Sequence, residues 1–142
     1  MYQSRDEVRQ VYLNVWVKMQ AQSLLEPMEA LIAEVIELHP EYHQLLGQGE
    51  DIKQQDYSPE LGRTNPFLHM GMHIALREQA GSDRPLGIKP LYLKLIDNRG
   101  QHEAEHAMME CLGQSLWSAQ RDNQPPDEAL YLECLRKIQG SF

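Results

Sequence analysis

Each of the six histidines in this 142-residue chain has another histidine four positions away: His39 with His43, His69 with His73, and His102 with His106. A spacing of four brings side chains together in an α-helix, where residues i and i+4 stand one above the other on one face. Random placement would give well under one such pair, so the spacing argues both for helices and for imidazoles that act together. No segment shows the period-two alternation of a half-buried strand, and no repeat appears beyond the histidines themselves. The predicted fold is therefore all-α: a helical bundle of about four long helices with one or two short ones and no sheet, in a single domain over residues 1–142.

Local signals divide the chain. Ser4 is placed to cap a first helix whose apolar stripe is Val8, Val11, Tyr12, Val15, Trp16 and Met19. Pro27 suits the first position of a second helix with Leu31, Val35, Ile36 and Leu38 on its apolar side. His39-Pro40 ends it, since the residue before proline is pushed out of helical dihedrals, and a short turn of helix follows to Leu46. Residues 47–64 are rich in Gly, Gln, Asp and Ser and read as a long surface loop. Asn65-Pro66 then starts a helix that is apolar around most of its circumference and stops at Gly81, which predicts a buried central helix. Two more helices are expected over about Lys89–Asn98 and Gln101–Gln120, broken at Gly100, and a last one over Asp127–Ile138 after Pro125-Pro126.

Composition narrows the partners. A formal charge of -8, with Lys and Arg scattered, argues against nucleic acid and anionic membrane, which draw on clustered basic residues. No stretch reaches the length of apolar sequence that a membrane span needs, and the polar Met-Tyr-Gln-Ser-Arg-Asp start does not read as a signal peptide. Two cysteines, Cys111 and Cys134, are too few for a disulfide framework; they fit a reducing cytoplasm and read as small core residues. The expectation is a soluble, acidic, cytoplasmic protein, and self-association into a homo-oligomer is compatible with this composition.

The chemistry rests on two columns. His102, His106 and Glu110 stack on one helix face, and His69 with His73 stack on the buried helix upstream. If the columns face each other, His69, His73, His102, His106 and Glu110 form a metal site for a transition metal, zinc or iron, because mixed imidazole and carboxylate donors suit those ions better than calcium or magnesium. Glu29, Glu34, Glu78 or Glu133 would have to join for a second metal. The plainer reading makes His69 and His73 a hydrogen-bonded polar core pair, and the downstream column a solvated face beside Glu103 and Glu105. His39 and His43 read as loop or capping residues because Pro40 interrupts the helix between them. His102-Glu103-Ala-Glu-His106 also fits the H-E-x-x-H zinc-protease pattern, but such enzymes hold peptide on a sheet edge and no strand is expected here. Arg63-Thr64-Asn65-Pro66 could bind an anion at a helix N-terminus or serve as an ordinary cap.

Several segments resemble a bacterial family known as domain of unknown function 1841. They are Leu25-Glu-Pro-Met-Glu29, His39-Pro-Glu-Tyr-His43, Thr64-Asn-Pro-Phe-Leu-His69, His102 through Leu112, and the tail from Pro125-Pro-Asp127 to Tyr131-Leu-Glu-Cys-Leu135. The resemblance spans nearly the whole chain and implies a small bacterial cytoplasmic protein; it brings no catalytic residues to carry over. His106/Glu110 and His69/His73 are also similar to the short ligand elements of hemerythrin-type di-iron bundles, whose remaining ligands have no counterpart here. Two functional expectations result. The first is a helical metalloprotein, and if an enzyme, one that hydrolyses or oxidises at the bound metal. The second is a metal-free protein-interaction module with structural histidines, using its acidic face or the 47–64 loop.

Overall fold

Helix capping and proline placement account for most of the element boundaries seen in the structure, a computed structural model that describes residues 5–49 and 65–140. In chain order the helices are α1 (Arg5–Gln20), α2 (Pro27–Glu37), a 3-10 turn (Pro40–Tyr42), α3 (His43–Leu46), α4 (Pro66–Ser82), α5 (Ile88–Arg99), α6 (Gln101–Asp122) and α7 (Glu128–Gln139). The fold is all-α, with no strand among the described residues. None of these helices is long and apolar enough to cross a membrane. The expected Ser4 cap and nearly all of the 47–64 loop lie outside the described residues. The chain divides into two compact units, Met1–Ile74 and Ala75–Phe142, with the boundary inside α4.

In the first unit α1 packs on α2 and on α3. Pro27 sits at the first position of α2, and Glu26 and Glu29 form a reciprocal capping box in which Glu29 Oε1 accepts from the Glu26 amide at 2.9 Å. The other oxygen of Glu29 pairs with Lys18 Nζ at 2.7 Å and ties the end of α1 to the start of α2. Glu29 is thus committed to the fold, not to a metal. Val15, Val35 and Ile36 are fully buried, and Tyr12 meets the Phe67 ring edge-on at 5.4 Å. The α1 stripe turns slightly from its expected course, with Leu13 buried and Val11 half-buried. Arg9 is also buried, its guanidinium 4.9 Å from the Phe67 centroid. Leu38, expected on the apolar side of α2, is exposed.

The start of α4 is capped as the Asn-Pro pair predicts: Asn65 Oδ1 accepts from the amides of Phe67 (3.0 Å) and Leu68 (3.2 Å). The ordinary-cap reading therefore holds for Asn65, while Arg63 and Thr64 fall outside the described residues.

In the second unit α6 packs on α5 and α7. Asp83 Oδ1 accepts from the amides of Gly87 (3.1 Å) and Lys89 (2.9 Å), which fixes the start of α5. Gly100, at φ 83, makes the sharp joint between α5 and α6 in a conformation that favours glycine. Asp127 Oδ1 accepts from Leu130 N at 3.1 Å and caps α7. Leu76, Ile88, Leu95, Ala104, Met108 and Leu135 are fully buried and form the core. One expectation is corrected here: Cys111 and Cys134 are not independent core thiols but a disulfide between α6 and α7. Two cysteines are too few for a framework, yet helical hairpin geometry puts this single pair within bonding reach, with Cα atoms 5.8 Å apart.

Candidate metal centre

The buried stripe of α2 passes through Ile32, Val35 and Ile36 and continues, one turn on, to His39. Pro40 stops the helix at that point, and the His39 amide turns to Ile36 O at 3.0 Å. Two histidine side chains add to these terminal carbonyls. His39 Nδ1 donates to Val35 O at 2.8 Å, and His43 Nε2 donates to Ile36 O at 2.9 Å. Both residues are helix caps, as their position beside Pro40 predicts, but they are not equivalent. His43 lies against Trp16, with ring centroids 4.9 Å apart. His39 is buried and faces α4.

On α4 the i,i+4 spacing does what the sequence predicts. His69 and His73 project from one face, the first half-buried and the second fully buried, with ring centroids 4.9 Å apart. His39 completes a triangle, 5.0 Å from His69 and 4.7 Å from His73. The three sides are nearly equal, and the ligand nitrogens of these residues all lie within 4.8 Å of one another. Nitrogens around a four-coordinate zinc sit about 3.4 Å apart, so small movements of the rings would close them on an ion. The Tyr42 ring lies parallel to His39 at 5.4 Å and forms one wall. Its hydroxyl is raised above the ordinary tyrosine range, first by burial and then by the charge of Glu41.

The hydrogen bond at His39 has a chemical consequence. A backbone carbonyl can only accept, so the neutral ring carries its proton on Nδ1 and its lone pair on Nε2. Metal-ligating histidines are oriented in this way, with the second ring nitrogen held by a carbonyl or carboxylate. The cap that ends α2 thus presets the tautomer a ligand needs.

The downstream column distributes differently along α6. His102 and Glu110 are exposed, and His106 is half-buried with its ring 4.1 Å from that of His102. Glu34, Glu78 and Glu133, the carboxylates considered for a second metal, are exposed as well. The donors gathered in the triangle are all imidazoles.

Sequence reasoning also missed a buried polar centre in the second unit. Glu105, expected on a solvated face, is fully buried. It accepts from Arg77 Nε at 3.0 Å and Nη2 at 3.2 Å, and from the Tyr92 hydroxyl, which in turn accepts from Gln101 Nε2 at 3.2 Å. Burial pushes the Tyr92 hydroxyl up to about 12, with the Gln101 hydrogen bond opposing that shift and the Glu105 carboxylate adding to it. The signal was present: Glu105, Met108, Met109 and Leu112 follow the i, i+3, i+4, i+7 spacing of a buried stripe.

A family model described as a domain of unknown function, DUF1841, matches residues 4–137. The chain belongs to this family. The matched span of the DUF1841 chain takes in all six histidines and both cysteines. No curated protein and no solved structure matches it.

Proposed function

We propose that this DUF1841 protein binds one transition metal, zinc foremost, through His39, His69 and His73. The observation that carries the reading is the near-equilateral triangle of imidazoles from two helices, one of them held in the ligating tautomer by Val35 O. Imidazole donors suit zinc, copper, nickel and iron, and the lack of a carboxylate among the three ligands moves the choice away from calcium and magnesium and toward zinc. A shell of three imidazoles leaves a position where the metal polarises a carbonyl or activates a water. The setting proposed is the bacterial cytoplasm, as the family resemblance implies.

One observation favours the metal-free alternative: His39 and His43 each satisfy a carbonyl of α2, a task that needs no ion. Elemental analysis of untagged protein, followed by zinc titration after chelation, separates the two. The expected result is about one equivalent of metal and a rise in melting temperature on adding zinc, both lost in His73→Ala. Less than a tenth of an equivalent of any transition metal, with no thermal stabilisation, overturns the proposal.

A further inference from the structure

Away from the histidines, the disulfide between α6 and α7 forms part of the wall of a cavity of about 860 Å³. That volume is within the range of small-molecule sites. The two sulfur-bearing residues differ sharply in access. Cys111 is buried at 2% exposure, whereas Cys134 is half-buried and sits among α7 residues that open toward the cavity. Four of the five charged side chains on the wall pair off, Arg121 with Asp122 at 2.9 Å and Lys137 with Glu133 at 3.9 Å, and Asp127, the cap of α7, leaves one negative charge. The wall therefore suits a neutral or cationic thiol.

We propose that Cys134 is a site of thiol–disulfide exchange with a low-molecular-weight thiol, and that exchange releases α7 from α6. The step is balanced without a separate oxidant. The incoming thiolate forms a bond to Cys134 Sγ, the Cys111–Cys134 bond breaks, and the electron pair leaves on Cys111 Sγ. Cys111 takes up a proton equivalent to the one the incoming thiol gave up on ionising. Access selects the sulfur that is attacked. With α7 released, Cys111 no longer faces Cys134, so the mixed disulfide on Cys134 persists long enough to be trapped.

α7 is lightly held otherwise, which is why breaking one bond matters. Only Tyr131 and Leu135 of its residues are buried. Two long-range hydrogen bonds assist them, Tyr131 Oη to Gln79 Oε1 at 2.7 Å and Arg99 Nη2 to Ile138 O at 3.2 Å. Leu130, next to Tyr131 in sequence, is exposed and adds little.

The test uses the full oxidised chain with cysteamine as the thiol, quenched by N-ethylmaleimide and read by peptide mass spectrometry. The expected product carries cysteamine on Cys134 and maleimide on Cys111, in at least tenfold excess over the reverse pattern. Amide exchange across 128–139 should then quicken at least tenfold while that of α5 is unchanged. A second measurement stands apart from the lifetime of the adduct: in the folded single variants, Cys134 of Cys111→Ser should react with a disulfide reagent at least tenfold faster than Cys111 of Cys134→Ser. Adduct on Cys111, equal reactivity of the two thiols, reduction only in urea or only by a protein dithiol, or unchanged protection of α7 would each overturn the proposal.

Discussion

At His39 one side chain serves two purposes, and the neighbouring His43 offers a built-in control. Both imidazoles donate to carbonyls at the end of α2, but only His39 also stands in the triangle with His69 and His73. Removing a buried donor leaves its acceptor unsatisfied, at a cost of about 1–3 kcal/mol. His39→Ala should therefore destabilise the metal-free protein by that amount and also abolish zinc binding. His43→Ala should cost less, because Ile36 O keeps the His39 amide and only the contact with Trp16 is given up, and it should leave zinc stoichiometry unchanged. Urea denaturation of the chelated proteins and zinc calorimetry of each variant measure the two effects separately. Loss of zinc binding in both variants would mean that the end of α2, rather than the His39 nitrogen, is what the metal requires. Protons compete for the same lone pairs. Zinc affinity should therefore fall as pH drops, because each imidazole must shed its proton to bind. A titration of zinc affinity from pH 8 to 5 checks that fall.

Among the elements, α4 and α6 show what a buried charge does when it is fully partnered. Glu105 holds three donors, from Arg77 and Tyr92, without solvent. Breaking a buried pair from one side leaves an uncompensated charge and costs about 3–5 kcal/mol, whereas replacing both partners by apolar residues is often neutral. Glu105→Gln should accordingly lose about 3 kcal/mol, and Arg77→Met combined with Glu105→Leu should recover most of it. Urea midpoints of Arg77→Met, Glu105→Leu and the double variant give the coupling energy; simple additivity would show that the pair does not act as a unit. The same elements show how far sequence reasoning reaches. Most caps and prolines were legible because they act within a turn: Pro27, Asn65-Pro66 and Gly100 lie where their chemistry requires, whereas Asp127, expected as the first residue of α7, is its cap, and α4 runs one residue past Gly81. The pairing of His69 with His73 was legible for the same reason. His39 was not placed with His69 and His73 because Pro40 advertises a helix end, and a capping histidine shows no further neighbour until the opposite helix is known. Glu105 was misread because a charged residue beside Glu103 suggests solvent, although its spacing to Met108, Met109 and Leu112 pointed inward. The disulfide depends on two helices meeting, which no local pattern records.

For the molecule as a whole, the buried phenols set the alkaline limit. Tyr12, Tyr92 and Tyr131 all have hydroxyls raised by burial, Tyr92 to about 12 and the other two further. An unfolded tyrosine ionises near 10. The folded chain therefore holds these protons more tightly than the unfolded one, so their contribution is fully present below about pH 10 and is lost as pH rises through the folded values. At pH 11 each unfolded phenol has gained about 1.4 kcal/mol by ionising while its folded counterpart has gained almost nothing, so the three together remove about 4 kcal/mol. Against a typical total of about 5–15 kcal/mol, that brings a chain of this size close to unfolding. Urea midpoints should be flat from pH 8 to 9.5 and fall steeply by pH 11, and phenolate absorbance from these three residues should appear only with the unfolding transition. Tyr92→Phe isolates one share of the effect: its stability should drop by about 1.4 kcal/mol less than the parent between pH 9.5 and 11. Equal drops in parent and variant would place the alkaline sensitivity in the surface lysines instead.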